Sequence, residues 1–290
     1  MAREAELPAT LEVRVAGIAE RLEDGTLGVS VYDYLSGFRW SWNGDRWFHA
    51  ASLIKLAVLA ALFDACDRGR FTLESRLHIR NRFLSAADGL PFAIDAGRDA
   101  DLAVHAAVGR TMRLSDLAEH MITASSNLAT NLLLDLVGLD EARAALAGRG
   151  VAGVDLQRGV EDDRAFRSGC INRVTPQGAV ELLRVIVDAR EFSGRASMAM
   201  LRILCDQQFA GGILPGLPEA VRPLARVAHK TGEISTATHD AGVVFLPGRP
   251  PYAVAILSEG GDAADRSAAL GALSAAVYDA VAASGESAWR

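Results

Sequence analysis

The sequence predicts an α/β protein with an added all-α lobe, its antiparallel sheet built from both chain ends and flanked by helices. Three observations predict this. Apolar stretches bounded by turn residues occur at 27–42 and again at 242–257. Helices fill the middle of the chain, where comparable strands are lacking. The chain then closes on an alanine-rich helical stretch at 264–283. Strands at both ends pair most simply into one sheet, with the first and last helices against it, and a strand-poor middle forms a lobe of its own. The expected division is an α/β lobe of residues 1–76 and 210–290 and a helical lobe of residues 77–209, with the active site in the cleft between them.

Taken in order, residues 11–23 read as a helix. Residues 27–34 and 38–42 read as two strands of a hairpin around a turn at 33–37. A second turn at 43–45 leads to an apolar helix that begins at Ser52, runs to Asp67 and stops at Gly69, a suitable C-terminal cap. Residues 83–109, with Pro91 and several small residues, read as loop with short helical pieces. Ser115 is expected to cap a helix over 112–121, with Leu114, Leu117, Ala118 and Met121 on its apolar side. The run 123–127 interrupts that pattern before a helix from Leu128 to Gly138 and a short one over 140–147. Residues 148–174 form a long polar surface segment, and long ordered loops are often functional. Thr175 caps and Pro176 opens the next helix, which carries Val180, Leu183 and Val187. A further helix covers 198–209. After a proline-containing loop, residues 227–231 are extended, 242–246 and 252–257 are apolar strands, and 264–283 is the closing helix.

At 290 residues, half of them hydrophobic, the chain suffices for one large core or two intimately packed units. A net charge of −6 argues against nucleic acid or an anionic membrane as partner. Cys66, Cys170 and Cys205 share no metal-ligand spacing, and an odd number offers no disulfide framework. No basic region followed by an apolar stretch opens the chain, and no apolar run is long enough to span a bilayer. The sequence as it stands therefore reads as cytoplasmic, or as periplasmic or secreted if an export signal has been removed. A monomer that needs no metal or organic cofactor is expected.

Ser52 and Lys55 stand three apart at the head of the apolar helix and so share a face. By itself Ser52 reads first as an N-cap, the commonest role of a serine before an apolar run. The lysine is less ordinary, because on an apolar face it either snorkels to solvent or has chemistry to do. A serine hydroxyl is a weak nucleophile at neutral pH, and a partly desolvated lysine within reach can serve as its base. Free N–H groups at the helix start favour negative charge on anything bonded to Ser52. Two more clusters stand out. Ser125 and Asn127 could equally cap the helix at Leu128, and Lys230 could equally be a solvated strand residue.

Together, Ser52-Leu53-Ile54-Lys55, Ser125-Ser126-Asn127 and Lys230-Thr231-Gly232 follow in order the Ser-x-x-Lys, Ser-Asp-Asn and Lys-Thr-Gly motifs, the second with serine for aspartate. On these motifs and on their neighbours Ile122-Thr123, Asn131-Leu132-Leu133, Val174-Thr175-Pro176 and Asp240-Ala241-Gly242, the sequence resembles the serine β-lactamase and penicillin-binding protein superfamily. The likeness is closest to class A β-lactamase-like proteins and covers residues 28–278. It implies a DD-peptidase/β-lactamase-like fold and a set of roles. Ser52 is the acylated nucleophile, and Lys55 takes its proton or orients the base. Ser125 passes a proton to the leaving group, and Asn127 hydrogen-bonds Lys55 and a substrate amide. Lys230 keeps Ser125 poised and attracts a substrate carboxylate, to which Thr231 donates. Gly232 and Ser235 join the substrate-binding residues, and the oxyanion hole is drawn from the backbone N–H groups of Ser52 and Ile234.

The resemblance thins in the long loop. Class A enzymes carry Arg-x-Glu-Pro-x-Leu-Asn there, and the glutamate activates the water that frees the acyl-enzyme. Here Arg158 fits the arginine, Val160 falls where the glutamate belongs, and Glu161 comes one position late with no proline after it. Glu161 is the candidate deacylation base; otherwise it belongs to a solvated acidic cluster paired to Arg164 or Arg167. Residues 83–109 lengthen the stretch between the first two motifs, and His105 within it is expected at the surface. Beyond Lys-Thr-Gly, the strand offers Ser235, Thr236 and His239, with Arg226 farther off, to help hold a carboxylate. The expected activity is that of a β-lactamase-like serine hydrolase opening a β-lactam ring through an acyl-enzyme. The alternatives are a serine esterase, amidase or D-amino-acid peptidase of the same fold, or a covalent penicillin-binding or sensor protein with slow deacylation. In each case the partner is a small β-lactam, ester or peptide-like molecule carrying a carboxylate.

Overall fold

Both chain ends enter one sheet. In the computed structural model, which describes residues 2–189 and 191–288, β1 (Gly25–Asp33) and β2 (Arg39–Trp42) form the N-terminal hairpin. The C-terminal part supplies β3 (Arg226–Ile234), β4 (Ala237–Phe245) and β5 (Tyr252–Gly260). Their order is β3-β4-β5-β1-β2, with all neighbours antiparallel. Pairing of β1 with β5, from Gly25 opposite Gly260 to Asp33 opposite Tyr252, joins the two ends. Strand alternation turns Leu27, Val29 and Val31 to the same face as Tyr252, Val254 and Ile256. Against that face α1 (Ala2–Ala19) brings Leu11, Val15 and Ile18, and α8 (Ala263–Ala288) brings Leu270, Leu273, Val277 and Val281. Steps of three and four residues make each set one helical stripe. Each such side chain contributes about 2 kcal/mol by leaving water, so packing, more than local propensity, holds the sheet.

β3 and β4 are longer than their apolar runs and form a hairpin whose turn is Ser235 and Thr236. The polar residues His239 and Asp240 hid the strand from hydropathy, because they are buried inside the ladder. Arg266 secures the hairpin tip. Its guanidinium is buried and donates to Ser235 O (2.9 Å), Thr238 Oγ1 (3.1 Å), Gly260 O (3.0 Å) and Gly261 O (2.8 Å). The stretch Ala263–Ser284 has the length and hydropathy of a membrane span, which its sequence alone did not suggest. Its apolar stripe is engaged on the sheet.

The chain divides into two compact units. One holds the residues up to Leu53, Val174–Arg184 and those from Ala210 on, and the other holds Ile54–Arg173 and Val185–Phe209. The first change of unit thus falls at Leu53, earlier than the residue 76 suggested by sequence, and α2 (Ile54–Asp67) goes with the helices. The reason is its composition. Residues 54–65 are all buried, so α2 has no solvent face and serves as a central helix. Around it pack α3 (Leu114–Thr123), α4 (Asn127–Val137), α5 (Leu139–Ala147) and, after α6 (Pro176–Asp188), α7 (Gly194–Cys205). Asp64 on α2 is buried but answered by Arg149 (2.5 Å) and Arg68 (3.0 Å), as an interior carboxylate requires.

Several helix starts differ from expectation for capping reasons. α3 begins one residue before Ser115, with Arg113 at the cap position, and the Ser115 hydroxyl donates to Asp116 (3.1 Å) instead. α7 begins well before residue 198, because Ser193 Oγ accepts from Ala196 N (3.2 Å). Thr175 does cap α6, accepting from Gly178 N at 2.9 Å. Residues 83–109 are more ordered than loop. They contain a two-stranded ribbon of Phe83–Leu84 with Pro91–Phe92, a 3-10 turn at Ala96–Arg98 and a short helix at Leu102–Ala106.

Candidate active site

In the sheet unit, Ser52 lies in the 3-10 turn Ala51–Leu53, packed against β3. A Cβ on Gly232 would sit 3.3 Å from both Ala51 Cβ and Leu53 N, so a side chain there would crowd the serine turn. Ala51 is held at φ 45°, a left-handed conformation costing a residue with a side chain about 1 kcal/mol or more. Such strain concentrates at functional sites. His239 supports the turn through Nε2–H to His49 O (2.8 Å), while its Nδ1 accepts from Ser258 N (3.2 Å). Burial lowers its pKa to about 4. His239 is therefore a neutral structural residue, and it does not help hold a carboxylate.

Lys230 of β3 is fully buried, and its Nζ donates to Thr231 O at 2.9 Å. Burial pushes its pKa down to about 7, and Asp240 opposes that only in part. The Asp240 carboxylate is also occupied, accepting from Gly212 N and Ile213 N at 2.9 Å each and facing His229 Nδ1 at 2.8 Å. Register decides which edge N–H is available near Gly232. Gly260 N donates to Thr236 O at 2.9 Å, so Ala237 and Glu259 are opposed without exchanging hydrogen bonds. Ala237 therefore turns its N–H and C=O to Ile234. The ladder consumes the Ile234 N–H, and the N–H of Glu233 points off the outer edge of the sheet. The Ile234 N–H, expected as an oxyanion donor, is thus taken up by the ladder, and the outward-facing N–H beside Gly232 is that of Glu233. Thr231 is half-buried, and Ser235 is exposed at the hairpin turn.

In the helical unit, Lys55 is likewise fully buried. Its Nζ donates to Ser125 O (2.6 Å), Ser125 Oγ (3.0 Å) and Asn127 Oδ1 (2.8 Å). Ser125 sits at φ 58°, in the break between α3 and α4. The capping of α4 falls to Ser126, whose Oγ accepts from Ala129 N at 3.2 Å. That leaves Ser125 and Asn127 to the lysine cluster. The next layer comes from the segment before α3. Asp99 accepts from Asn127 N and Leu128 N, both at 2.9 Å, and faces His105 Nε2 at 3.0 Å. His105 is therefore a half-buried partner of Asp99 and not a surface histidine. Nothing in the sequence spacing marked Asp99.

Glu161 joins the same cluster. Its Oε1 accepts from Asn127 Nδ2 at 3.4 Å, and its Oε2 meets Arg98 Nη2 at 2.5 Å. Its pairing with Arg98 replaces the expected one, since Arg164 pairs with Asp88 (3.2 Å). Burial raises the Glu161 pKa above the ordinary glutamate value. Arg98 pulls against this most strongly, Asp163 adds to it, and Arg158 and Lys55 oppose it. The loop is anchored just before this residue. Asn131 donates to Val160 O (2.9 Å) and accepts from Val160 N (2.8 Å). Arg158 donates to Cys170 O (2.8 Å) and Gly159 O (2.9 Å), drawing the loop onto itself. With Val160 pinned, the backbone makes a left-handed turn at Glu161 (φ 58°). The helical unit thus gathers Lys55, Ser125, Asn127 and Glu161, while the sheet unit sets the Ser52 turn beside the Lys230–Gly232 stretch.

This fold, with these polar clusters, defines a hydrolase of the class A β-lactamase and penicillin-binding protein superfamily. Residues 10–281 match the family described as "Beta-lactamase enzyme family", and the chain belongs to that family. A β-lactamase of Streptomyces fradiae is 27% identical over 261 residues, covering 86% of this chain and 78% of the relative. The solved β-lactamase of Sphaerobacter thermophilus DSM 20745 is 27% identical with a TM-score of 0.77, over 94% of this chain and 97% of that one. A mutant of PBP-A, solved as an acyl-enzyme complex with penicillin G, is 27% identical with a TM-score of 0.78, over 94% and 96%.

Proposed function

We propose that this protein is a serine β-lactamase that opens the β-lactam ring through an acyl-enzyme on Ser52. The observation that carries the reading is Glu161 sharing one hydrogen-bonded cluster with Asn127 and Lys55, where a desolvated carboxylate suits a general base. Ser52 Oγ attacks the lactam carbonyl while its proton passes to the base that Lys55 supplies or orients. The N–H groups of Ser52 and Glu233 meet the developing oxyanion. The C–N bond then breaks as Ser125 protonates the leaving nitrogen. Lys230 attracts the substrate carboxylate, and the hydroxyls of Thr231 and Ser235 donate to it. In the second half, Glu161 takes a proton from water, the hydroxide attacks the ester, and the ring-opened acid leaves as Ser52 regains its proton.

A second reading, a penicillin-binding protein that acylates and stops, is favoured by the involvement of Glu161 with Arg98 and by the likeness to PBP-A. An intact-mass time course with a penicillin and a chromogenic cephalosporin, run while ring opening is followed, separates the two. Rapid product with a fleeting adduct is expected, and a persistent adduct with little product favours the second reading. Ser52→Ala should abolish the adduct; labelling that survives removes Ser52 as nucleophile. Glu161→Gln should accumulate the adduct and slow turnover by about 100-fold or more. Unchanged turnover takes Glu161 out of the mechanism.

A further inference from the structure

We propose that Arg98 is a positioning residue for deacylation, bridging Glu161 to Asp163 so that the Glu161 carboxylate stays charged. The inference rests on the reading of Glu161 as the water-activating base. It assigns a role to part of the 83–109 segment, which the resemblance leaves without one.

The geometry is that of a clamp with both ends fixed. Arg98 closes the 3-10 turn Ala96–Arg98, which Asp95 caps by accepting from Gly97 N at 2.9 Å. Its own carbonyl accepts from Asn127 Nδ2 at 3.3 Å, and the next residue, Asp99, is tied to the Asn127 and Leu128 N–H groups. The backbone of Arg98 is thus anchored to the same asparagine whose amide also reaches Glu161. At the other end the guanidinium grips Asp163 in a fork, Nη1 to Oδ2 at 2.9 Å and Nη2 to Oδ1 at 3.3 Å. Its third contact is Glu161 Oε2 at 2.5 Å. Such forked pairs fix orientation as well as charge. Two carboxylates two positions apart in sequence would repel each other without a cation among them, and the half-desolvated Glu161 would take up a proton first. Arg98 prevents this.

The sign of the effect follows. Loss of Arg98 makes Glu161 easier to protonate, so the acid limb of deacylation moves to higher pH. Loss of Asp163 removes a like charge and leaves Arg98 to Glu161 alone, so the limb moves to lower pH. Arg98 is half exposed, at 51%, so screening limits the shift to about one pH unit, the low end for an adjacent opposite charge.

The test is the pH dependence of single-turnover deacylation of a penicilloyl-enzyme, read by intact mass, in the wild type and in Arg98→Gln, Arg98→Lys, Asp163→Asn and Glu161→Gln. Arg98→Gln should deacylate like the wild type on the neutral plateau and about tenfold more slowly well below the limb, with Arg98→Lys recovering most of the difference. A limb that does not move, or a loss of equal size at every pH, overturns the proposal. Should Arg98→Gln fail to fold, Asp163→Asn decides: a downward limb supports the clamp, and an unmoved or upward limb overturns it. Glu161→Gln tells the two failures apart. If it traps the acyl-enzyme while Arg98→Gln leaves the limb in place, the clamp fails and the base reading stands. If Glu161→Gln deacylates normally, the base reading itself fails.

Discussion

Burial brings the titration of Lys230 to about pH 7, so the cation proposed to meet a substrate carboxylate is present below that pH and fades above it. For a carboxylate-bearing substrate, kcat/KM should fall on the alkaline side through about pH 7, mainly through a rising KM. Lys230→Arg keeps its charge across that range and should abolish this limb if it is accommodated. A neutral ester substrate should show no such limb in the wild type. An alkaline limb that persists in the arginine variant would assign the titration to another group. As the proposed deacylation base, Glu161 should set the opposite side of the profile. Its pKa lies above the ordinary glutamate value, so deacylation should begin to fail at a higher pH than an exposed glutamate would allow. Ala51, Ser125 and Glu161 are all held at positive φ. Each adjoins or forms part of a proposed catalytic position, where strained backbone aims a side chain that a relaxed turn would misplace.

At the level of elements, the start of α4 shows how a short motif depends on a distant chain segment. Ser126 caps the helix from within the motif, whereas Asp99 supplies the carboxylate that holds Asn127 N and Leu128 N. Asp99→Asn replaces a charged acceptor by a weaker one and offers amide hydrogens to groups that are themselves donors. It should cost about 2 kcal/mol, seen as a lower denaturation midpoint. Acylation by a penicillin should slow by at least about tenfold, because Ser125 and Asn127 lose their registration with Lys55. Unchanged acylation in a folded variant would show that the motif holds its shape without Asp99.

For the molecule as a whole, the stabilising core and the chemistry are separable. The sheet unit is held by the stripes of α1 and α8 on one face, a cluster that includes neither Ser52 nor Lys230. Leu273→Ala, buried in that stripe, should destabilise the fold by about 3 kcal/mol through lost transfer energy and a residual cavity. The acylation rate per folded molecule should remain as in the wild type. The comparison is a denaturant midpoint against an active-site titration at low temperature. A changed acylation rate in fully folded protein would mean that the core strains the site.

What could be read along the chain was local. Hairpin turns, helical stripes and three motifs of three or four residues each disclose themselves within a few positions, and they were enough for the sheet from both ends, the helical middle and the superfamily. What could not be read was set by contacts across tens of residues. Such contacts need only loop closure and impose no spacing that a reader could recognise. Asp99 on the α4 start, Arg98 on Glu161 and Gly232 against the Ser52 turn all belong here. The remaining ambiguities were single-residue offsets. In a strand, one residue reverses which way an N–H points, and it took the β3–β4–β5 register to turn the Ile234 N–H into the ladder and that of Glu233 outward. In the long loop, it took the grip of Asn131 on Val160 and the left-handed turn that follows to bring Glu161 to Asn127.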